Sequence, residues 1–413
     1  MQARKLFQRG TNAEIKKPRE GNKMREYAFD AVVFLHRAQP FHKAHKKIYD
    51  RALALGKLVI PVFGSDLQAV NTYNPWKSFE RKEMCKSCFD EEDLARVRFT
   101  SASDHPYQDE AWLAEVHTKV RDILEKECEN YEDLKIGIIG YKKDSTSAYL
   151  NWFPQWEFID TASFSRGISA TDIRNSYFVE MLDFSGVKEK YLASKTFKEA
   201  REKASSYSWR EHLPPTVVAF LERFKEDEAA RCASLVSEHL SNLKKKADKE
   251  AYCYPIIENT VDNVVMKSAH ILLVKRGVNP GIGQWALPGG YLNEFEEQFD
   301  AALRELKEET KLNLFRKANL NVQDQYEETR KELVKCFVGE HTFSYPLRST
   351  RGRVITTAFH FQLPVEGDFP YIKGADDATE AKWFSIADIF RMREQMFEDH
   401  FSIIQFFTMG GKK

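Results

Sequence analysis

The sequence predicts two α/β domains in one chain, joined by a polar helical connector, and three observations carry this prediction. Apolar strands alternate with amphipathic helices from residue 29 to residue 140, as in a doubly wound parallel sheet. A polar, Lys- and Glu-rich stretch then interrupts the alternation between residues 186 and 252. Strand-like runs return beyond residue 253 and surround an acidic helix, which indicates a second domain.

The composition argues against several classes of protein. Lys plus Arg equals Asp plus Glu at 62 each in 413 residues, so no overall charge favours nucleic acid or a membrane surface as a partner. The six Cys are scattered, and the single CxxC at Cys85 and Cys88 is short of the four ligands of a zinc site, so we expect reduced thiols. No run is apolar enough to span a bilayer, and no signal-peptide core is visible. We therefore expect a soluble, cytoplasmic protein, and the sequence leaves a homo-oligomer open.

The first domain is assigned to residues 27–185. Residues 1–26 are basic and polar and predict a disordered tail; Glu14 and Glu20 argue against a targeting peptide. Strands are predicted at 31–35, 58–63, 97–101 and 135–140, with helices at 44–55, 77–88 and 112–127. In a sheet of this kind, ligands bind beyond the carboxyl ends of the strands.

The connector is assigned to residues 186–252 and the second domain to residues 253–413. In the connector, residues 217–224 and 232–243 have helical apolar spacing after a break at Pro214-Pro215, and we expect it to pack partly on the first domain. The second domain has strand-like runs at 264–266, 271–274, 353–362 and 380–384, and a final helix from about residue 386.

The acidic helix, predicted at residues 299–310, carries the first chemical signal. Its apolar side chains share one face, and another face holds three carboxylates, those of Glu305, Glu308 and Glu309. Three clustered carboxylates repel one another, and a hard cation such as Mg²⁺ or Mn²⁺ would remove that conflict. Taken alone, the helix favours an acidic solvated face over a metal site.

The surroundings of this helix resemble the Nudix box. Gly290 is followed after five residues by Glu296, and seven residues later comes the run Arg304-Glu305-Leu306-Lys307-Glu308-Glu309. The resemblance implies an α/β/α domain with a mixed sheet, in which the three carboxylates hold Mg²⁺ or Mn²⁺ against a diphosphate and Glu309 is also catalytic. The cation would polarise phosphorus and activate water.

Five residues near the box have implied or open roles. Arg304 is implied to orient the Glu ligands, and Glu296 is either an outer ligand or a helix-start carboxylate. Arg276 and Arg353 lie in segments similar to those of ADP-ribose pyrophosphatases, which implies nucleotide binding and hydrolysis of ADP-ribose to AMP and ribose 5-phosphate. Lys311 stands where the family usually has Gly, so the left-handed turn that ends the helix would cost energy here.

A second signal follows the first predicted strand. The segment reads His36-Arg37-Ala38-Gln39-Pro40-Phe41-His42-Lys43-Ala44-His45. A turn followed by a helix start puts His42 and His45 near the amino end of that helix, where free N–H groups and the helix dipole favour phosphate. On its own the pair fits a surface or metal-binding site as well.

A third signal lies at residues 167–174. Ser169 is predicted to cap a helix that begins near Thr171, with Arg174 one turn further on. Hydroxyls, a helix amino end and an Arg together make a phosphate clamp, although caps of this kind are common.

The two segments together resemble the paired motifs of the nucleotidylyltransferase family, in the version of nicotinamide mononucleotide (NMN) adenylyltransferases. The resemblance implies a Rossmann-like domain that joins NMN to the α-phosphate of ATP, giving NAD and diphosphate. The implied catalytic residues are His42, His45, Arg37 and Arg174. The implied nucleotide-binding residues of the two motifs are Gln39, Phe41, Ser169 and Thr171. His36, Ala38 and Ala44 replace Gly, Phe and Gly, and His36 is expected to crowd a bound nucleotide.

Three further segments follow predicted strands. The residues implied to bind nucleotide there are Gly64, Ser65, Asn74, Trp76, Arg81, Asp104, Tyr107 and Trp112. Each of the three aromatic residues taken singly fits a core position at least as well. From about residue 27 to residue 384 the chain resembles the bifunctional NMN adenylyltransferase/Nudix hydrolase family.

Two alternatives remain open at this stage. One is a nucleotide-sensing regulator whose Nudix domain binds a ligand without cutting it; the complete set of Glu residues and the lack of a basic recognition helix argue against it. The other keeps the transferase and changes the acceptor to the deamidated mononucleotide.

Overall fold

The computed structural model describes residues 27–128, 130–141, 149–161, 168–316 and 319–409 of the 413-residue chain. The predicted basic tail, residues 1–26, lies outside the described residues. Within them the chain forms two sheets, each covered on both faces by apolar side chains of neighbouring elements. No helix in these ranges is long and apolar enough to cross a bilayer.

The first sheet is parallel throughout and has the strand order β3-β2-β1-β4-β5. Its strands are β1 (Phe29–His36), β2 (Gly56–Asp66), β3 (Thr100–Ser103), β4 (Ile136–Gly140) and β5 (Glu157–Asp160). The order reverses between β1 and β4, and a crevice for ligands forms at the carboxyl ends there. The predicted doubly wound sheet is confirmed; β5, which is short and partly exposed, was not predicted.

Helices cover both faces of this sheet because the central strand β1 is apolar on both. The helices are α1 (Lys43–Leu55), α2 (Ser78–Lys86), α3 (Glu91–Ala95), α4 (Asp109–Glu127) and α5 (Ala170–Met181). On one face Tyr49 of α1 packs with Val32, and on the other Val120 of α4 packs with Val33.

The connector is helical and shares a core with the first domain. It contains α6 (Glu189–Leu192), α7 (Lys195–Ser206), α8 (Pro215–Asp227) and α9 (Ala229–Asp248). Trp209, Leu221 and Leu235 lie in the same buried cluster as Val32 and Tyr49. The connector is therefore an additional helical layer on the first sheet.

The second sheet is mixed, with the order β10-β11-β6-β7-β12, and β8 and β9 pair with β7 and β6. Its strands are β6 (Glu258–Lys267), β7 (His270–Arg276), β8 (Trp285–Ala286), β9 (Gly289–Tyr291), β10 (Phe337–Phe343), β11 (Val354–Gln362) and β12 (Ala378–Ser385). Only β11 and β6 pair in parallel along that order.

Two pairs of helices enclose the second sheet. They are α10 (Gln298–Thr310) and α11 (Val322–Lys335) on one face, and α12 (Ile386–Arg391) and α13 (His400–Thr408) on the other. The expected α/β/α arrangement with a mixed sheet is confirmed. α11 and β10 were not predicted, because α11 buries few side chains and β10 is a largely exposed edge strand.

Lys311 ends α10 in the left-handed conformation, which the sequence analysis expects to cost energy for a residue other than Gly. Its φ is 47° and its ψ is 31°, and its N–H donates to the carbonyl of Lys307. A side chain with a Cβ pays for this conformation, whereas Gly does not. The helix thus keeps the geometry of a glycine ending without the glycine.

Lys311→Gly is expected to raise the free energy of unfolding of this domain by about 0.5–1 kcal/mol, because the strain relieved exceeds the added entropy of the unfolded chain. Chemical denaturation measures the change. The matched exchange inside the helix, Lys307→Gly, should lower stability by about 1 kcal/mol. A loss of stability in Lys311→Gly would show that the Lys311 side chain stabilises the turn.

The two domains meet along a buried polar interface. Tyr107, in the loop after β3, packs on the apolar core of the second domain and donates its hydroxyl to Asp399. Asp399 also pairs with the buried Arg348, over 2.8 Å. In the other direction, Arg393 of the second domain donates to the carbonyl of Asp104. Each domain therefore anchors a loop of the other.

Candidate functional sites

The two histidines of the first domain lie together at the amino end of α1. His42 is the N-cap residue, and His45 lies in the first turn. Their rings stack with centroids 3.7 Å apart and planes inclined by 20°. The backbone N–H of His42 donates to Nδ1 of His45 over 3.3 Å. Both imidazoles therefore lie beside the free N–H groups of a helix end, where an anion is stabilised.

Both imidazoles are uncharged at neutral pH. Burial lowers the pKa of His42 to about 3, and the charges of His212 and Arg174 add to the effect. Burial also holds the pKa of His45 well below its usual range. Because Nδ1 of His45 accepts a hydrogen bond, the one proton of its neutral ring lies on Nε2, from which it can be donated to a phosphate oxygen.

His36 is held in an aromatic layer between β1 and α1. Its Nε2 lies 2.9 Å from the hydroxyl of Tyr49, and its ring stacks on Phe34 with centroids 4.4 Å apart. The ring of Phe63 is 4.5 Å away. These contacts fix the imidazole against the core, which argues against the expected crowding of a nucleotide by His36.

Helix α5 brings the second predicted segment to the same turn. The Oγ of Ser169 caps the helix by accepting from the N–H of Asp172. Arg174 donates to the carbonyl of Gln39 over 2.6 Å and to the hydroxyl of Thr171 over 3.2 Å. Burial lowers the pKa of Arg174 to about 10, so the guanidinium stays charged at neutral pH. The two segments therefore form one site.

Gln39 and Trp76 hold each other in place. The side-chain amide of Gln39 donates to the carbonyl of Trp76 over 2.9 Å and accepts from its N–H over 3.2 Å. The indole of Trp76 is 1% exposed and packs edge-on against Tyr177 and Phe224. Most of the Trp76 ring therefore packs in the core, which agrees with the core position that the sequence analysis gave as the alternative to nucleotide binding.

Arg81 joins the carboxyl ends of the two central strands. It is fully buried and donates to the carbonyls of Arg37, Gly64 and Ser65. Asp104 adds a further link, since its carboxylate accepts from the N–H of Ser65 over 3.1 Å. Arg81 and Asp104 thus shape the edge of the site through the backbone.

A cleft of about 300 Å³ opens beside the end of β2, and Glu394 of the second domain borders it. Four residues of its wall have a buried polar side-chain atom without a hydrogen-bond partner among the described residues: Ser65, Asn74, Trp76 and Ser78. Buried polar atoms are usually paired, so such a group indicates a place for a polar ligand.

The remaining predicted residues of this domain divide between the site and its surroundings. Arg37, five residues before His42 in the chain, is exposed, and Phe41 is buried with its ring 5.6 Å from that of His45. Trp112 is partly buried against Tyr149. Tyr107 lies on a loop that packs against the second domain, and its role in nucleotide binding stays a prediction.

In the second domain the predicted carboxylates lie on α10 beside β9. Glu309 is 7% exposed and accepts from the N–H of Gly289 over 3.0 Å. Burial raises its pKa to about 8, with added repulsion from Glu305 and Asp262. A Cβ at Gly290 would lie 2.4 Å from a carboxylate oxygen of Glu305, which explains the glycine of the motif.

Arg304 connects the other carboxylates. It donates to Glu305 over 2.8 Å and to Glu308 over 2.9 Å, and it makes two 2.8 Å hydrogen bonds to Glu296. Glu296 also accepts from the N–H of Asn293. This geometry gives Glu296 a role in holding Arg304, and it agrees with an orienting role for Arg304.

These residues fit a divalent cation. Across the described ranges no three His, Cys, Asp or Glu side chains are arranged to hold a metal ion. In α10, Glu305 and Glu308 accept hydrogen bonds from Arg304. The donors are nevertheless oxygen atoms of one helix face. Burial raises the pKa of Glu309, repulsion from Glu305 and Asp262 adds to the effect, and a bound cation would stabilise the charged carboxylates.

Besides Arg304, one further arginine lies near the carboxylates, and a second arginine lies close to it. Arg276, which the sequence predicts to bind nucleotide, is close enough to Glu309 for each charge to shift the pKa of the other. Arg351, which was not selected, donates to Glu398 and to the hydroxyl of Tyr291. Arg353 instead donates to the carbonyl of Ser344, so its role in nucleotide binding stays a prediction.

Comparison with known proteins adds independent findings. Residues 36–176 match a family model described as cytidylyltransferase-like, and residues 258–407 match the model of the NUDIX domain. Over 152 residues the chain is 36% identical to the nicotinamide/nicotinic acid mononucleotide adenylyltransferase of Acinetobacter baylyi, covering 37% of this chain and 77% of the relative. Over 138 residues it is 33% identical to the ADP-ribose pyrophosphatase of Methanocaldococcus jannaschii, covering 33% of this chain and 66% of the relative.

A solved structure matches both domains at once. The bifunctional NMN adenylyltransferase/ADP-ribose pyrophosphatase from Francisella tularensis, in complex with AMP and a manganese ion, superimposes with a TM-score of 0.75 at 28% sequence identity. The match covers 92% of this chain and 99% of that one.

Proposed function

Because the chain belongs to the nicotinamide/nicotinic acid mononucleotide adenylyltransferase family and a NUDIX domain follows that unit in the sequence, we propose a bifunctional enzyme with two separate reactions. The first domain transfers the adenylyl group of ATP to NMN, giving NAD and diphosphate. The second hydrolyses ADP-ribose to AMP and ribose 5-phosphate with a divalent cation, Mg²⁺ or Mn²⁺. The relatives that match each half bear the corresponding names.

One observation carries the first activity: Arg174 reaches the turn that holds the stacked His42 and His45. A guanidinium, two imidazoles and a helix amino end therefore converge on one point. That combination suits the phosphates of ATP and a mononucleotide.

The transfer requires positioning more than covalent chemistry. An oxygen of the mononucleotide phosphate attacks the α-phosphorus of ATP, and the bond from that phosphorus to the β-phosphate oxygen breaks, so that diphosphate leaves. Nε2–H of His45 and the guanidinium of Arg174 are suited to stabilise the charge that develops on the phosphate oxygens. A divalent cation, when bound, would neutralise phosphate charge.

For the second activity, Glu309, Glu305 and Glu308 are the proposed ligands of the divalent cation. Bound there, the cation would polarise the diphosphate and activate a water molecule. Arg304 keeps Glu305 and Glu308 on one side of α10, and the N–H of Gly289 fixes the carboxylate of Glu309. Arg276 lies where it can bind the diphosphate.

The direct test incubates the purified chain with ATP, Mg²⁺ and either NMN or nicotinic acid mononucleotide, and separately with ADP-ribose. We expect NAD and diphosphate from NMN, and AMP with ribose 5-phosphate from ADP-ribose. If no dinucleotide formed with either mononucleotide, the transferase proposal would fail.

The same assay addresses the second candidate acceptor. The deamidated mononucleotide deserves the comparison because the Acinetobacter relative is described for both the amide and the acid. A ligand-binding regulator would instead bind ADP-ribose and leave it intact.

A further inference from the structure

Helix α9 of the connector contacts both domains. Glu238 accepts hydrogen bonds from the N–H and the hydroxyl of Thr72, and Asn242, one turn on, approaches the same hydroxyl at 3.5 Å. Near the far end, Lys249 pairs with Glu258 at the start of β6, over 2.7 Å. These contacts fix one stripe of the helix across the domain boundary.

Lys245 lies on that stripe, between Asn242 and Lys249. In the part of the chain that the structure describes, it makes no hydrogen bond or ion pair, although Asn242 and Lys249 both have partners. Its side chain is only partly exposed. It is one turn from Lys249, whose ammonium lies 3.9 Å from the position of a Cβ on Gly352. Lys245 therefore faces the segment that carries Arg351.

Lys245 lies near two arginines, of which Arg276 is close to Glu309. Arg276 and Arg351 lie over the ring of Phe397, with guanidinium carbons 4.1 Å and 5.7 Å from its centroid. Burial lowers the pKa of Lys245, and the positive charges of Arg351 and Arg276 contribute. The ammonium of Lys245 is thus close enough to both guanidinium groups for their charges to lower its pKa.

Two acidic side chains lie close enough to Lys245 to raise its pKa, and both already have a partner of their own. Glu398 pairs with Arg351, and Glu258 pairs with Lys249. Among the described residues Arg276 has a carbonyl, that of Pro280, as its hydrogen-bond partner and no acidic one. Partly buried cations that repel one another are stabilised by an anion bound between them.

We propose that Lys245 is a substrate-binding residue of the Nudix site, which it completes from the connector by binding, with Arg276 and Arg351, the phosphates of ADP-ribose. The inference rests on the proposed hydrolysis of ADP-ribose and extends it, since the site then spans two structural units. The helix that links the domains is part of the substrate cleft.

The test compares three variants of the full chain: Lys245→Ala, Lys245→Arg, and Lys246→Ala as a matched control at the neighbouring exposed position. Steady-state hydrolysis gives kcat and KM for ADP-ribose, and calorimetry without divalent cation gives its dissociation constant. Lys245→Ala should raise KM and the dissociation constant about tenfold or more, the scale of one charge-assisted contact, with kcat nearly unchanged.

Lys245→Arg should restore most of the binding, and Lys246→Ala should match the wild type. NAD synthesis and thermal stability should be unchanged in all three variants, which separates a binding role from a structural one. Wild-type binding with an equal dissociation constant for Lys245→Ala would overturn this inference alone. A wild-type chain that neither binds nor hydrolyses ADP-ribose would overturn the proposed Nudix function along with it.

Discussion

Glu309→Gln is expected to reduce hydrolysis of ADP-ribose on the order of 10³-fold or more, because it removes a charged oxygen ligand from the proposed cation site and with it several kcal/mol of transition-state stabilisation. The substitution preserves shape, and the amide oxygen of Gln can still accept from the N–H of Gly289. The loss should therefore reflect chemistry and leave the fold intact. Release of AMP from ADP-ribose in the presence of Mg²⁺ measures it.

The matched control is Glu294→Gln, which neutralises an exposed carboxylate in the loop before α10 and should be silent. NAD synthesis by Glu309→Gln should stay near wild type, since mutations at distant sites rarely couple. Full hydrolysis by the variant would remove Glu309 from the site. Loss of both activities would mean that the two domains function as one unit.

Contacts at the domain interface could cause a loss of both activities in a variant that unfolds one domain. Tyr107 of the first domain is bound by Asp399, and Arg393 of the second holds the loop of Asp104. Asp104 in turn fixes Ser65 at the end of β2. A change that unfolds the second domain would therefore reach the transferase site, whereas an isosteric change at Glu309 touches none of these contacts.

The sequence predicted most of the fold because hydrophobic periodicity is a local property. The alternation in the first domain and the helix that carries Glu309 could be recognised from spacing, and the mixed sheet from the Nudix resemblance. Helix α11 and strand β10 could not, because an exposed helix and an edge strand bury too few side chains to leave a periodic pattern.

The functional residues likewise fall into those that local spacing predicts and those that it does not. His42, His45 and Arg174 belong to motifs whose residues lie close along the chain, and the fold brings those motifs together. Tyr107 and Lys245 depend on how two domains dock, which no local spacing records. From the sequence alone, Lys245 cannot be distinguished from a solvated lysine of a polar helix, because its neighbours in the second domain are known only from the structure.

His45→Ala is expected to lower NAD synthesis by about 10²-fold or more, the scale of losing one preorganised donor to a developing phosphate charge. The ring is neutral, with its proton on Nε2, so its contribution is a directed hydrogen bond at the amino end of α1. Formation of NAD from ATP and NMN under saturating substrate measures the effect on kcat.

Hydrolysis of ADP-ribose by the same variant should stay at the wild-type rate, because His45 lies in the first domain and the carboxylates on α10 in the second; thermal unfolding reports whether the first domain is still folded. The matched control is Lys47→Ala, an exposed position two residues further along α1, which should be silent in both assays. NAD synthesis that survived His45→Ala at wild-type rate would remove the stacked pair from the reaction. The phosphates would then have to be stabilised by Arg174 and the helix end without an imidazole donor at position 45.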